Sequence, residues 1–288
     1  MKALLVYRAP QYSPNAVVKD RAVLEETGHN LLLQGVDIQY IDEERLTDCL
    51  NTDMILTMGR LPQTQERLAE AEEKGIPVIN SAQALMHSSR GEIDQIMRSN
   101  AIPAPLLWRG WGRSPFSSGC WAKRADITAQ CKDDVQFAAD EHELHSVLAS
   151  FKARGVGKVL VTEHVVGDLV KFYGVLGTGF FRMFYPTDDG QTKFDDELRN
   201  GQAHHYGFDS DSLQRDAEKL SRLLGIAIYG GDCIVRADGS YVFIDFNDWP
   251  SFSRCRQEAA QAIALYALNI VNGSVRRCTT TPQTSIIT

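Results

Sequence analysis

The sequence lacks any C-x-x-C pair, although six cysteines are present (Cys49, Cys120, Cys131, Cys233, Cys255 and Cys278). Scattered in this way, they form neither a zinc ligand set nor a disulfide framework, and they read as reduced thiols of a cytoplasmic protein. No apolar run approaches the ~20 residues of a membrane span. The opening MKALLVYRAP has too short an apolar stretch for a signal peptide and reads as a first strand. Positive charge is not in excess: Lys and Arg number 30 against 37 Asp and Glu, a formal net charge of −7. No global basic field therefore favours nucleic acid or an anionic membrane. A G-x-G-x-x-G is missing after the first strand, which argues against a dinucleotide fold. No Ser/His/Asp or Cys/His arrangement offers a protein nucleophile. His204 and His205 are adjacent, and neighbours on an extended chain point apart, so they do not read as a metal pair.

What is present suits a globular chain. The 288 residues, 43% hydrophobic and 23% charged, allow two or three modest lobes with ample core. Residues 1–103 alternate strand and helix. Strands are expected at Ala3–Tyr7, Val36–Ile41, Met54–Met58 and Pro77–Ile79. Helices are expected over Pro14–Glu26, ended by Gly28, over Thr64–Lys74, closed by Gly75, and from Ser81 with Asn80 as N-cap. This rhythm predicts a small open parallel sheet. Arg8, Met58-Gly59-Arg60 and Asn80-Ser81 fall at carboxyl ends of its strands, where ligands of such sheets gather. Arg60 reads equally as a substrate-binding cation or a solvated loop residue. Residues 104–160 suit a small α+β lobe, with strands at Gly119–Arg124 and Asp134–Ala138 and a helix over Glu141–Lys152 capped by Asp140. Residues 161–272 form a larger lobe. It holds an aromatic strand at Gly179–Pro186, a polar loop at Asp188–His205 expected to move over the site, and helices over Ser212–Leu224 and Cys255–Val271. Residues 273–288 are rich in Thr and Ser and read as a flexible tail.

The stretch most suggestive of chemistry is Tyr229–Phe252. Asp232–Val235 suits a strand, Ala237-Asp238-Gly239-Ser240 is hairpin-turn chemistry, and Tyr241–Phe246 suits a return strand. Asp232 enters this hairpin; Asp245 and Asn247 leave it. Asp245 and Asn247 are two apart and share a face. Pro250 stops the strand, and Ser251 or Ser253 is placed to cap the next helix. Two carboxylates and an amide at one sheet edge are a hard-oxygen set suited to Mg²⁺ beside a nucleotide phosphate. Propensity alone places neither Asp nor Asn in a strand. An Arg within so apolar a strand as Gly179–Pro186, Arg182, points to a bound anion or a buried pair.

Asp232, then Asp245-Phe246-Asn247, then Asp248-Trp249-Pro250-Ser251-Phe252 resembles the metal-binding hairpin of ATP-grasp enzymes. That family usually has Glu where Asp245 stands and Pro-Gly where Pro250-Ser251 stands. A second stretch, Gly75–Ser81, Ser88–Gly91 and Asn100–Pro105, is similar to the start of the ATP-grasp module. Arg90 stands at the family's phosphate-touching Lys and Ser89 at its Asp. The resemblance runs from about residue 75 to 272. It implies an N-terminal open parallel α/β domain followed by a two-lobed ATP-grasp fold.

The same resemblance implies roles. ATP lies between the lobes, with Mg²⁺ or Mn²⁺ held by Asp232, Asp245 and Asn247. Lys123 reaches the α/β-phosphates, and Arg90 and Lys171 add charge. The strand ending at Glu163-His164-Val165 is the nucleotide hinge, whose exposed backbone meets the adenine edge, while Asp168 or Glu163 accepts from the ribose. Arg182 faces the transferred phosphate. The usual Gly-rich loop corresponds to Ala125–Asp133, which has no glycine; Thr128 and Gln130 supply polar groups there. Arg254 and Arg256 bind a substrate carboxylate or pair with Glu258 and solvent. The implied reaction joins a small-molecule carboxylate to an amine through an acyl phosphate, giving ADP and phosphate. A small-molecule kinase of the same fold and a nucleotide-binding regulatory protein without turnover are the alternatives. A homodimer is common among such enzymes.

Overall fold

The computed structural model describes residues 1–13, 16–47, 51–110, 116–127, 131–189 and 199–273. Thr128, Gln130, Cys49, Cys278 and nearly all of the expected tail lie outside the described residues. The fold is mixed α/β, with three four-stranded sheets among the described residues.

The first sheet has the order β2-β1-β3-β4 and is parallel throughout: β1 (Lys2–Tyr7), β2 (Asp37–Asp42), β3 (Met54–Thr57) and β4 (Val78–Ile79). β1, β3 and β4 are apolar and buried, while the edge strand β2 is polar and largely exposed. α1 (Val17–Leu33) does not stop at Gly28. Gly28 is a packing glycine: a Cβ there would lie 2.1 Å from the Tyr40 hydroxyl. The helix ends instead at Gln34 and the left-handed Gly35 (φ +78°). α2 (Pro62–Glu73) follows β3. The helix expected after β4 is two, α3 (Ala82–Met86) and α4 (Arg90–Ser99). Ser81, not Asn80, caps α3. Ser89 opens α4 with a capping box to Glu92, and this places Arg90 in the first turn.

The small sheet runs β5-β8-β6-β7, built from β5 (Leu107–Trp108), β6 (Cys120–Arg124), β7 (Val135–Ala138) and β8 (Val159–Glu163), backed by α5 (Glu141–Ala153). β8 belongs to this sheet, which therefore reaches Glu163. The third sheet is antiparallel with order β10-β9-β11-β12. It comprises β9 (Asp168–Val175), β10 (Phe180–Phe184), β11 (Ile228–Val235) and β12 (Tyr241–Asp248). α6 (Ser210–Leu224) and α4 pack on its lower face through Leu213, Ala217, Leu220, Ile93 and Met97. α7 (Arg256–Val271) has no side-chain cap, neither Ser251 nor Ser253; Cys255 stands at the N-cap. α7 contributes Ala259, Ile263 and Ala267 to one core with Leu5, Leu24 and Met54 of the first domain and Val175 and Ile228 of the third sheet.

Candidate nucleotide and metal site

Strand register assembles the site. Lys171 of β9 lies opposite Asp232 of β11, and Asp232 lies opposite Asp245 of β12. β11 begins at Ile228, four residues before the expected start, so Asp232 sits within the strand. The ladder slips between Asp232 and Cys233, whose partners are Asp245 and Phe243. Ile244 is the skipped residue of a β-bulge, a device that re-aims side chains. Its effect is visible here. Phe243 and Phe246, three apart, both enter the core below, while Asp245 and Asn247 stay on the upper face. The Ile244 carbonyl accepts from Lys123 Nζ at 2.9 Å, which ties the small sheet to the hairpin.

The cluster is closely coupled. Lys171 Nζ lies 3.1 Å from Asp232 Oδ1, and Arg90 Nη2 lies 3.5 Å from Asp245 Oδ1. Asn247 Nδ2 donates to Asp245 Oδ2 at 2.9 Å. Burial pushes the Asp245 carboxyl up, but Arg90, Lys123, the Asn247 amide and Lys171 outweigh it and hold it below the usual carboxylate range. Burial, then the neighbouring Arg90, lowers the Lys123 ammonium to about 8, against the pull of Asp245 and Asp232. The side chains of Asp232 and Asp245 are 26% and 29% exposed, so the set is open to the cleft. All the donors are hard oxygens, which fits Mg²⁺. Among the described residues, no three His, Cys, Asp or Glu side chains form a metal-binding group; the third donor of this set is an amide.

By sequence the chain matches no family model, and no curated protein matches it. Solved structures do match. D-alanyl-alanine synthetase A from Vibrio cholerae has a TM-score of 0.67 at 11% identity, covering 95% of this chain and 98% of that one. A RimK domain ATP-grasp protein from Sphaerobacter thermophilus has a TM-score of 0.62 at 17% identity, over 93% of this chain and 100% of that one. D-alanine–D-alanine ligase from Bacillus anthracis, in complex with ATP, has a TM-score of 0.59 at 13% identity, over 96% and 100%. The chain has the ATP-grasp fold.

Within this ATP-grasp fold the other expected site residues divide. β8 ends at Glu163 and β9 begins at Asp168, and the backbone at Glu163 and His164 is engaged. Glu163 N donates to Leu106 O at 2.9 Å and His164 N to Gly119 O at 3.0 Å. Glu163 Oε1 accepts from Leu106 N (3.0 Å) and Arg236 Nη2 (3.3 Å). Asp168 is buried, at 2% exposure, and accepts from His204 N (2.7 Å) and Tyr206 N (2.9 Å). Those donors outweigh burial and lower its pKa. Both carboxylates therefore brace local backbone in this structure. His164 Nδ1 accepts from Trp121 Nε1 at 3.1 Å, and burial followed by Arg199 lowers its pKa.

The arginines depart most from expectation. Arg182 is not buried: it is on the edge strand β10 opposite Tyr173, 45% exposed, and bonds Glu258 of α7. Glu258 is thus the partner of Arg182 rather than of Arg254 or Arg256. Arg254 Nη1 donates to Tyr185 O at 3.3 Å and its guanidinium lies 5.5 Å from the Phe184 ring centroid. Arg256, the first residue of α7, has its Nε buried with no hydrogen-bond partner. Arg60 is not a solvated loop cation. It is 11% exposed and ion-paired with the buried Asp248, which Arg8 also meets at 3.5 Å. Burial, then Arg8, lowers the Arg60 pKa to about 9.

Some cleft residues escaped sequence reasoning. Leu169, Ile234, Val242, Ile244 and Val165 form a small apolar cluster. Leu169 and Ile234 are each two residues from Lys171 and Asp232, hence on the same face. Trp121, two before Lys123, and its cross-strand partner Phe137 form a wall opposite. Period-2 spacing from Lys123, Lys171 and Asp232 was the available signal.

Proposed function

We propose that the chain is an ATP- and Mg²⁺-dependent ligase that joins a small-molecule carboxylate to an amine, releasing ADP and phosphate. The observation that carries this reading is the row Lys171–Asp232–Asp245, completed by Asn247, Lys123 and Arg90, on one face of the cleft. The D-Ala–D-Ala ligase neighbours support it as an analogy of fold.

Asp232, Asp245 and Asn247 would hold Mg²⁺, which supplies charge neutralisation for the β- and γ-phosphates. Lys123, Lys171 and Arg90 line the phosphate path. Leu169, Ile234 and Val242 give a flat base an apolar floor, with the hinge at its edge. In the first step a carboxylate oxygen of the substrate attacks the γ-phosphorus and ADP leaves. In the second the amine attacks the acyl carbon, phosphate leaves and the amine proton is released. Neither step uses a protein nucleophile. The work of the chain is positioning and charge stabilisation.

The test is Mg²⁺-dependent ATP turnover with pooled amino acids, dipeptides and small carboxylates, with Asp245→Ala and Asn247→Ala as controls. ADP and phosphate that appear only with a carboxylate–amine pair, and vanish in the controls, support the ligase. ADP without free phosphate replaces it with a kinase. Tight ATP binding with no turnover in any pool replaces it with a nucleotide-binding protein.

A further inference from the structure

The stretch between β8 and β9 carries a contact from a segment 35 residues further along the chain. Asn200 Nδ2 donates to Val165 O at 3.1 Å. Beside it, the Arg199 guanidinium lies 3.7 Å from the Phe137 ring centroid and 5.5 Å from that of Trp121. Trp121 shares the Lys123 face of β6, so this wall faces the nucleotide cleft. A planar cation stacked on aromatics, next to an amide N–H on a hinge carbonyl, presents a flat ring's shape and an exocyclic amine's hydrogen bond together.

The segment holding these two residues is anchored from behind. The N–H groups of His204 and Tyr206 end on Asp168, and the Ala203 N–H ends on Thr187 Oγ1 at 3.2 Å. His205 Nε2 lies 3.2 Å from Asp188 Oδ1. Arg199 and Asn200 therefore open a described segment, residues 199–206, whose later residues are fixed to the start of β9 and to Thr187. Arg199 is exposed although it stacks on these rings.

We infer that residues 199–206 form an autoinhibitory strap, in which Arg199 and Asn200 occupy the base end of the nucleotide site. This inference rests on the nucleotide-site reading above and adds regulation to it. A base that needs the Val165 carbonyl and the Trp121–Phe137 wall competes with the strap. The apparent affinity of the nucleotide is reduced by the fraction of molecules whose strap is docked. Substrates or partners that draw the strap away would raise that affinity without touching the phosphates.

The test is calorimetric binding of ATP and of adenosine to the wild-type chain, Asn200→Ala, Arg199→Ala and the double variant. One neutral hydrogen bond and one cation–π contact set the scale: roughly fivefold tighter binding for each single variant and up to about thirtyfold for the double. The gain should be equal for ATP and adenosine, because the strap competes with the base. Unchanged or weaker binding in the variants, with the wild type binding normally, overturns the strap and leaves the site reading intact. A gain for ATP alone also overturns it, because the strap would then act on phosphates. If neither the wild type nor any variant binds either ligand, the nucleotide-site reading fails and the strap falls with it.

Discussion

On the proposed reading, Lys123 makes ATP affinity depend on pH in a calculable way. In the ligand-free chain, burial and Arg90 bring its ammonium down to about 8. A bound polyphosphate supplies the opposite charge that burial removed and returns the group to at least its ordinary value. The free site is about 90% charged at pH 7 and about 10% charged at pH 9, while the complex stays charged at both. Affinity for Mg-ATP should therefore fall about tenfold between pH 7 and 9, or about 1.4 kcal/mol, with about 0.9 proton taken up per ATP at pH 9. Calorimetry in two buffers of different ionisation enthalpy measures both quantities. Lys123→Arg, whose guanidinium stays charged, should flatten the profile; Lys123→Met should weaken binding at both pH values and remove the proton uptake. Absence of proton uptake at pH 9, or a wild-type profile that coincides with that of Lys123→Arg, would refute the reasoning. The same shift has a stability sign. The folded value lies below the unfolded one, so between about pH 8 and 10.5 the unfolded chain binds more protons, and this group makes ligand-free stability rise with pH.

Three further outcomes follow from the hairpin and its supports. Asp245→Ala should lower turnover by about 10²–10³, with loss of Mn²⁺ binding to the ATP-loaded protein by electron paramagnetic resonance. Gly231→Ala should cost about 1–3 kcal/mol in urea unfolding and blunt the metal site as well, because a Cβ there would lie 2.2 Å from the Asp245 carbonyl and force the two strands apart. Asn80→Ala should cost about 1–3 kcal/mol by the same measurement. Asn80 is buried, accepts from Ile228 N (2.8 Å) and donates to Ile228 O (2.9 Å); its loss leaves the Ile228 N–H without that acceptor, while Ile228 O keeps Trp249 N at 3.1 Å.

Local chemistry was legible where it was short-range. The hairpin Asp238-Gly239 turn, with Gly239 at φ +82°, and the Asp140 cap were readable, because each depends on neighbours within a few residues. The companionship of Asp232, Asp245, Asn247 and Lys171 was readable from period-2 spacing and a family pattern. The bulge at Ile244 was not, since a register slip depends on which phenylalanines the core below accepts. The partners of the arginines were not legible for a related reason. Whether Arg60 or Arg182 faces substrate, solvent or a carboxylate is decided by Asp248 and Glu258, which are 188 and 76 residues away in sequence. Asn80 was read as a cap because Asn favours caps, yet a long-range pairing with Ile228 outcompetes that role.

The hairpin is gripped from outside its own sheet at both open ends. Asn80 clasps Ile228 at the start of β11, and Arg8 and Arg60 hold Asp248 at the close of β12. Every one of those grips comes from the first hundred residues, and α7 welds the same regions into one core. The first sheet is therefore packed as one body with the sheet that carries the hairpin. A fragment beginning near residue 104 would carry every expected metal and phosphate residue except Arg90, yet present them on an unsupported hairpin. Exchanging residues 1–103 with those of another chain of this fold would likewise need Arg8, Arg60 and Asn80 to be matched to Asp248 and Ile228.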